Sequence, residues 1–568
     1  MYSPVDTAWV LWGAALVFFM QCGFAMLETG FTRAKNSGNI IMKNLMDFSL
    51  GAPLFWLVGF GLMFGGGGVL LGRLGGPASE AAYGAAMLPA GIPFWAFLVF
   101  QTVFAGAAAT IVSGAMAERT KFIAYCISSA GLTMLIYPVS GHWIWGGGWL
   151  AGLGFHDFAG GAVVHLVGGA AALAGVIVVG PRVGKFSRQG KPRPIPGHNI
   201  PLAALGVFIL WFCWYGFNGA STFALSGEAM ARAGKIFANT TIAPALAAAT
   251  AMILSWLIYG RSDVPLSLNG ALAGLVAITA GCDTVAPAAA ALIGLLAGGA
   301  VIGAIHVMEK VLHLDDPVGA VSVHGGGGIL GLLAIGFFSD GSGTNTPGLF
   351  YGGGPALLGV QALGAVSVAL FVTTAGLIMF GVLKRTTGVR LSVEEEIDGL
   401  DLHEHNIHSY SDFLSTEGVS APKANIPKIA AANLDKPLAR EEPGGVTLSS
   451  VVVVMRQSKL DELLLALNKI GVTGVTVSQV TGYGIQKGNA YYRGAEVGIQ
   501  LLPKVKLEIV VSTVPVALLV DTVEKVLYTG RFGDGKIFIY DVREVIKVRT
   551  GETGVAALTD AEIEGERP

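Results

Sequence analysis

The chain has 568 residues, of which 53% are hydrophobic and only 13% charged, and its mean hydropathy is +0.63. Because soluble globular domains contain about 25% charged residues, this composition excludes a purely soluble protein. A formal net charge of −2 argues against nucleic acid as a main partner, and four scattered cysteines without a CxxC pair indicate neither a disulfide framework nor a metal site.

The part of the sequence up to about residue 385 is dominated by apolar and small residues. Its first apolar run, 7–27, lacks the basic stretch that precedes the core of a signal peptide, so it predicts a retained transmembrane helix. Further runs of spanning length follow at about 48–70, 93–117, 122–140, 158–180, 200–218, 236–260, 266–281, 286–308, 322–339 and 356–383. We therefore expect about eleven transmembrane helices, with the two chain ends on opposite sides of the membrane.

The charges of the connecting loops predict the orientation. The loop 181–199 contains no acidic residue and five basic ones, which are Arg182, Lys185, Arg188, Lys191 and Arg193. Arg33, Lys35 and Lys43 after the first run fall on the same side, whereas the loop 339–355 has neither lysine nor arginine. By the positive-inside rule, we expect the N-terminus outside and the C-terminus inside, in a multi-pass protein of the cell inner (cytoplasmic) membrane.

Two segments of the apolar region carry a single histidine each. His165 lies in GGAVVHLVGG and His324 in GAVSVHGGGG, and the similarity of the two segments indicates an internal duplication. An ionisable side chain at bilayer depth is costly, so it is usually buried inside the bundle and functional. A transported solute that passes between two imidazoles is the first hypothesis, and two unrelated packing histidines are the alternative. Histidines near loops or helix ends are interpreted as solvated or capping residues: His142, His156, His198, His306 and His313.

Beyond residue 390 the sequence becomes polar. An acidic segment, 391–410, precedes a stretch rich in Ala, Pro, Lys and Glu, 411–446, which predicts a flexible linker. The remainder, 447–568, shows strand and helix patterns in the order βαββαβ, which is typical of a ferredoxin-like α+β fold. Within it, 482–503 is predicted to be a glycine-punctuated loop. The predicted domains are therefore 1–410, 411–446 and 447–568.

The motifs around the two histidines point to a family. DFAGGAVVH (157–165) and DDPVGAVSVHG (315–325) resemble the pore segments of the Amt/MEP/Rh ammonium transporters, and the resemblance covers nearly all of residues 5–410. It implies a multi-pass α-helical protein of about eleven transmembrane helices in an inverted repeat, a homotrimer in the lipid membrane, and one pore for ammonium or ammonia in each subunit. An enzyme is not expected, because no nucleophile–base constellation or metal-ligand spacing appears.

The resemblance also implies an outer recruitment site and a gate. Ammonium recruitment is implied for Trp145 in WIWGGG, Ser221 in FNGAS and Phe104 in FQTVFAG, and a phenylalanine gate for Phe104 with Phe217. A cation over an indole face gains about 0.5–2 kcal/mol, and a hydroxyl oxygen accepts an ammonium N–H that potassium lacks. A membrane-interface tryptophan remains the alternative for Trp145, and core packing remains the alternative for each phenylalanine.

Four further positions carry over from the family. His165 and His324 are the implied pore histidines, past which neutral ammonia would cross. Asp157 and Asp316 each lie eight residues before one of these histidines and are implied structural supports of the pore. Direct binding of the cation by Asp157 stays open as an alternative.

The C-terminal domain resembles a second family. TGYGIQKG, YYRGAE, LPKVKLEIVV, TGRFGDGKIF and VRTGE are similar to motifs of the PII nitrogen-signalling proteins, which are trimers that bind ATP or ADP, Mg²⁺ and 2-oxoglutarate. The implied nucleotide-binding residues are Gly484, Gly533, Gly535, Lys536, Lys547 and Arg549. Gln486 on the metal and Lys504 on a carboxylate are implied for 2-oxoglutarate, and Arg493 is implied as a plug of the cytoplasmic pore mouth. Taken alone, GDGK would indicate only a glycine-rich hairpin turn.

These resemblances lead to competing hypotheses about function. In the first, the protein recruits ammonium outside, deprotonates it and conducts ammonia, and its own PII domain regulates it through an intramolecular contact. In the second, the protein is an ammonium sensor that signals through the PII domain with little or no flux. In a third, the PII domain acts only on other nitrogen-regulation proteins.

Overall fold

The computed structural model describes residues 2–344, 346–410, 448–472, 474–492, 495–530 and 534–558. The chain divides into two compact units, Met1–His405 and Asn406–Pro568. All described strands lie in the second unit, whereas the long apolar helices lie in the first. The predicted linker 411–446 lies outside the described residues, and so do Arg493 and Gly533.

The first unit is built from apolar helices. They are α1 Pro4–Phe31, α2 Ala34–Phe64, α3 Phe94–Ala115, α4 Phe122–Gly152, α5 Gly161–Val179, α6 Ile200–Thr222, α7 Glu228–Tyr259, α8 Val264–Thr279, α9 Pro287–Val311, α10 Val321–Phe338 and α11 Ala356–Arg385. Among the described residues, ten of these helices are long and apolar enough to cross a membrane, and α8 is shorter, with 16 residues. The expected multi-pass helical membrane protein is confirmed, while its orientation stays a prediction.

The second helix begins earlier than the sequence suggests. We expected a spanning run from about residue 48 and counted Lys43 as a loop charge, but α2 starts at Ala34 and Lys43 is fully buried inside it. Asn44 and Asp47 are buried in the same helix. These polar side chains interrupt the apolar pattern, and the structure places them against other polar groups rather than in a loop.

Glycines bring the helices of the first unit into close contact. A Cβ atom on Gly30 of α1 would lie 2.4 Å from the backbone nitrogen of Ala203 in α6. A Cβ atom on Gly169 of α5 would lie 2.3 Å from the backbone nitrogen of Gly325 in α10. Small residues allow backbones in a membrane to approach in this way. The two histidine-bearing helices, α5 and α10, therefore cross at Gly169 and Gly325.

Two of the five basic residues of loop 181–199 are buried in ion pairs. The Arg182 guanidinium donates to both Asp315 oxygens, at 2.8 and 2.9 Å, and to Glu118 at 3.1 Å. Lys185 donates to Glu309 at 2.6 Å. Burial acts to raise the pKa of the Asp315 carboxyl, but the hydrogen bonds from Arg182 and the neighbouring guanidinium charges outweigh it and hold this pKa well below its usual range. The loop is thereby fixed to the segment that leads into α10.

The acidic segment after α11 is also attached to the first unit. It contains the short helices α12 Val393–Asp398 and α13 Leu400–His405. The Asp401 carboxylate accepts the backbone N–H groups of Gly38 and Asn39, at 3.0 and 2.8 Å. These groups belong to the first turns of α2, where backbone donors lack intrahelical partners. The contact ties the end of the first unit to the start of α2.

The second unit has the expected ferredoxin-like order of elements. They are β1 Ser449–Met455, α14 Leu460–Lys469, β2 Thr476–Tyr492, β3 Ala495–Val511, α15 Val516–Leu527 and β4 Lys536–Asp541. The strands form an antiparallel sheet in the order β2-β3-β1-β4. Alternate β1 side chains are buried against both helices, as the period of a half-buried strand requires.

One local prediction for the second unit is wrong. We expected a loop over 482–503, but the described backbone continues β2 to Tyr492 and begins β3 at Ala495. The two strands pair in a long hairpin, with a register shift between Tyr483 and Gly488. The glycines of this segment suggested a loop because they weaken strand propensity, yet a paired hairpin tolerates them at an irregularity of this kind.

Candidate functional site

Aromatic rings make a continuous series of contacts inside the helix bundle of the first unit. The rings of Phe104 and Phe217 are stacked, with centroids 4.2 Å apart and planes at 27°. Trp145 meets Phe104 edge-on at 6.0 Å, and on the other side Phe217 stacks on His165 at 5.3 Å. His165 in turn lies 5.2 Å from His324. The series thus leads from a half-buried tryptophan to two fully enclosed histidines.

The two histidines form a direct pair. Their Nδ1 atoms are 3.2 Å apart, and the side chains are 1% and 3% exposed. A hydrogen bond between two imidazole nitrogens requires that one donates and the other accepts. The Nε2 atom of His165 is buried and has no hydrogen-bond partner in the described part of the chain. The pair therefore leaves a ring nitrogen available to a small polar solute.

Carboxylates fix the starts of both histidine-bearing helices. The Asp157 oxygens accept four backbone N–H groups, from residues 160–163, at 2.7–2.9 Å. Asp316 accepts the N–H groups of Gly319 and Val321, at 3.0 and 2.7 Å. The first N–H groups of a helix lack intrahelical partners and need such acceptors. Because four hydrogen bonds use about all of the lone-pair sites of a carboxylate, the geometry favours a structural role for Asp157 over direct binding of a cation.

The outer end of the series is held in place by hydrogen bonds. The Trp145 indole N–H donates to the backbone carbonyl of Asp157 at 2.7 Å, which fixes the orientation of the ring. Ser221, one helical turn after Phe217, donates its hydroxyl proton to the carbonyl of that residue at 2.8 Å. The hydroxyl oxygen of Ser221 therefore keeps its capacity to accept a hydrogen bond.

Sequence reasoning missed one residue of this series. The Trp214 ring stacks on His165, with centroids 4.9 Å apart and planes at 17°. Its indole N–H donates to the Thr279 hydroxyl at 2.8 Å, so the ring cannot rotate freely. Trp214 lies three residues before Phe217 in α6, and this spacing places both on one helix face. This three-residue spacing is the sequence pattern that could have identified Trp214.

Of the histidines that the sequence interprets as solvated or capping residues, His142 is not solvated but caps a helix end. His142 is fully buried, and its ring nitrogens lie 2.7 Å from the carbonyl oxygens of Met63 and Gly68. His156 is half-buried, and its Nε2 lies 3.0 Å from an oxygen of Asp283. His142 thus caps the carboxyl end of α2, where Met63 lies in the last turn, and connects it to α4.

In the second unit, basic groups gather near the turn that precedes β4. Burial and the adjacent charge of Arg456 lower the pKa of the half-buried Lys504, and Asp534 opposes this shift. Gly535 has φ of 134°, and a Cβ atom there would lie 2.7 Å from the carbonyl oxygen of Val454, so the backbone requires glycine. Lys536 follows directly in β4.

The other residues predicted to bind nucleotide or 2-oxoglutarate lie in several parts of the second unit. Lys547 lies 3.8 Å from Glu552, and Arg549 lies in the exposed turn between them. Gly484 and Gln486 lie in the described backbone of β2. Gly533 and the predicted plug Arg493 lie outside the described residues. Among the described residues of this site, the structure therefore brings together Lys504, Arg456 and the Asp534–Lys536 turn.

Comparison with known proteins agrees with this geometry. The family model of the Ammonium Transporter Family matches residues 8–410, and that of Nitrogen regulatory protein P-II matches 448–552. The ammonium transporter Amt2 of Archaeoglobus fulgidus is 46% identical over 432 residues, which cover 73% of this chain and 90% of that protein. Ammonium transporter 3 of Dictyostelium discoideum is 36% identical, over 72% of this chain and 94% of that protein.

Solved structures show the same fold. A structure described as a sensor Amt protein superposes with a TM-score of 0.65 and 40% identity, over 70% of this chain and 98% of that chain. Candida albicans Mep2 superposes with a TM-score of 0.63 and 28% identity, over 69% of this chain and 87% of that chain. The chain therefore belongs to the ammonium transporter family and carries a nitrogen regulatory P-II domain in the same polypeptide.

Proposed function

We propose that this protein conducts ammonium nitrogen across the cell membrane through the first unit. The observation that carries the proposal is the His165–His324 pair, directly behind the stacked rings of Phe104 and Phe217. A hydrogen-bonding track enclosed by apolar side chains suits a small neutral molecule that donates and accepts hydrogen bonds, which describes ammonia.

The outer groups would select the charged form of the substrate. The indole of Trp145 attracts a cation, and the Ser221 hydroxyl accepts an N–H that potassium cannot offer. Behind them, the stacked phenylalanines exclude water, and an apolar constriction disfavours the charged form of ammonium. Ammonium would leave its proton there, and ammonia would pass along the two imidazoles. The same hydrogen-bonded pair would relay the released proton, so that each transport event carries one positive charge across the membrane. Asp157 and Asp316 support the pore by fixing the starts of α5 and α10.

Ammonium-evoked current tests this proposal. Full-length protein in proteoliposomes on a solid-supported membrane is expected to give a saturable current with ammonium chloride and none with potassium chloride. A His324→Ala variant is expected to lose most of it, because the hydrogen-bonding track is interrupted. Absence of current from well-folded wild-type protein would contradict the proposal.

Replacement of Trp145 by leucine is expected to weaken recruitment. Loss of about 0.5–2 kcal/mol of cation–π attraction corresponds to an increase in KM of about 2- to 30-fold, with a similar maximal current. Trp256→Leu is the matched control, because Trp256 lies on α7 with 58% of its surface exposed. An unchanged KM in Trp145→Leu would support the interface-tryptophan alternative instead.

We also propose that the second unit binds ATP or ADP, with Mg²⁺ and 2-oxoglutarate as further effectors. Lys504 and Arg456 bring two positive charges together beside the single carboxylate of Asp534, and burial together with the Arg456 charge lowers the pKa of Lys504. An excess of positive charge of this kind suits an anionic ligand. Gly535 allows close backbone approach, and Lys536, Lys547 and Arg549 would neutralise phosphate. Gly484, Gln486 and Gly533 are assigned to the same site.

The second unit would then regulate transport in the same polypeptide. A linker of this length keeps the PII domain at an effective concentration on the order of mM, so even a weak contact would be occupied. We assign Arg493 as the residue that enters the cytoplasmic mouth of the pore, in a homotrimer with one PII subunit for each pore. Effector binding would release it.

Truncation after Ser409 is expected to leave ammonium current intact and remove its response to Mg-ATP with 2-oxoglutarate, since the regulatory unit is lost. Full-length Lys504→Gln should lose the response to 2-oxoglutarate. The matched control is Lys506→Gln, two residues further along β3, where the lysine pairs with Glu508 at 2.7 Å. An equal 2-oxoglutarate response in the truncated protein would refute regulation by the fused domain.

The sensor hypothesis is the second candidate, because one structural relative at 40% identity is described as a sensor Amt protein. The two hypotheses differ in flux. Specific ammonium binding without current in proteoliposomes would favour the sensor, whereas a saturable current favours the transporter. If Arg493→Ala leaves inhibition unchanged, the PII domain acts on other proteins and not on its own pore.

A further inference from the structure

A cavity next to His324 contains a second polar side chain that the transport pathway described above does not use. Among the described residues that line this cavity, Glu28 is the one polar side chain besides His324, and Phe24, Leu27 and Val318 are among its apolar walls. Glu28 lies near the end of α1 and is 2% exposed. A buried carboxylate is costly unless it is paired or binds a cation, so its presence beside the pore needs a physical reason.

Glu28 belongs to a buried polar network. Its carboxylate accepts the side-chain N–H of Asn44 at 3.2 Å. The Lys43 ammonium donates to the backbone carbonyl of Ser113 at 3.3 Å. In the part of the chain that the structure describes, Lys43 makes no ion pair within 4.0 Å. Lys43 therefore does not neutralise Glu28 by direct contact.

The other carboxylate of this network has partners of its own. The Tyr125 hydroxyl lies 2.7 and 2.8 Å from the two oxygens of Asp47, and Lys43 lies 4.9 Å over the ring of the same Tyr125. Asp47 and Lys43 are not among the residues that line the cavity beside His324, whereas Glu28 is. Glu28 is therefore the carboxylate that a solute in this cavity meets, and a bound monovalent cation or a proton compensates its charge.

An unpartnered acceptor lies on the amide that contacts Glu28. The Asn44 Oδ1 atom is buried and has no hydrogen-bond partner among the described residues, and the side chain is 2% exposed. Buried acceptors of this kind usually have a partner. The carboxylate of Glu28 and this amide oxygen accept hydrogen bonds and donate none, which suits a ligand that donates several N–H groups and carries one positive charge.

We propose that Glu28 and Asn44 form an inner ammonium-binding site, at the end of the pathway opposite Trp145. The site rests on the proposed function, because His324 and Glu28 share one cavity and ammonia that has passed the histidines reaches it directly. There ammonia takes up the proton that the histidine pair relays and becomes ammonium again. The Glu28 carboxylate compensates its charge until it leaves.

Transport by matched variants tests the role of the carboxylate. In full-length protein in proteoliposomes, Glu28→Gln is expected to lower the maximal ammonium current about tenfold with KM within about twofold, since the outer site still sets recruitment. Glu28→Asp keeps the charge and should retain at least half of the current. Asp47→Asn, which removes the other carboxylate without touching the cavity lining, should stay within about twofold of wild type.

Infrared difference spectroscopy tests binding without the need for flux. Addition of ammonium chloride to full-length protein in bilayers is expected to shift a carboxylate stretching band, and potassium chloride should not. The shift should disappear in Glu28→Gln and persist in Asp47→Asn. If wild-type protein gives this Glu28-dependent shift but no current, the transport proposal fails and the inner site stands.

Three results would overturn the inner site. The first is a Glu28→Gln current equal to wild type. The second is an equal loss of current in Glu28→Gln and Asp47→Asn, which would indicate a general effect of network charge. The third is an infrared spectrum in which Glu28 stays a protonated acid that ammonium does not alter.

Discussion

Gly169→Ala is expected to reduce ammonium current at least about tenfold and to lower thermal stability, because the new methyl group has no space. Its Cβ atom would lie 2.3 Å from the nitrogen and 2.6 Å from the Cα of Gly325. These are backbone atoms, which cannot rotate away as a flexible side chain would. Overpacking of a tight core costs about 1–3 kcal/mol, and relief here requires α5 and α10 to separate.

Separation of these helices acts directly on the histidine pair. His165 precedes Gly169 by one helical turn, and His324 is next to Gly325, so the 3.2 Å contact between the imidazoles depends on this crossing. A shift of even 1 Å would break the hydrogen bond, whose useful range ends near 3.2 Å. Current and melting temperature are therefore expected to fall together.

Gly381→Ala is the matched control for this prediction. Gly381 lies in α11, and a Cβ atom there meets nothing within 4 Å. Its replacement should leave current unchanged and alter stability by about 0.5 kcal/mol or less. If Gly169→Ala conducts like wild type, the close crossing of α5 and α10 does not position the histidines.

Sequence patterns were most informative where chemistry is local. The two histidines stand out because an ionisable residue is rare in an apolar run, and the aspartates are found eight residues before them. The helical segments follow from run length, and the strand order of the second unit follows from hydrophobic alternation. These features depend on neighbouring residues along the chain, which the sequence displays.

Other features depend on contacts between distant residues. Lys43 reads as a loop charge, yet it is buried beside Ser113, 70 positions away. Arg182 reads as a solvated inside charge, yet it pairs with Asp315, 133 positions away. No local pattern shows which acid a base will meet, so buried polar networks and the Glu28 cavity required the folded structure.

Asp157→Ala is expected to prevent accumulation of folded protein, or to lower its melting temperature more than Gly169→Ala does. Four buried backbone N–H groups would lose their acceptor together. A buried donor left without a partner costs about 1–3 kcal/mol, so the total is comparable with the stability of a whole domain. The start of α5 would no longer be fixed, and His165 would lose its position.

Asp157→Asn separates the structural role from direct cation binding. The amide keeps one acceptor oxygen but turns an NH₂ group towards backbone donors, so we expect a destabilised protein with reduced current. Asp316→Asn is the matched control, and a smaller loss of stability is expected because Asp316 accepts fewer backbone bonds, from Gly319 and Val321. Thermal unfolding, monitored by size-exclusion chromatography, measures the loss of stability in both variants. If Asp157→Asn were as stable as wild type but bound no ammonium, Asp157 would be a ligand of the cation rather than a support of the helix.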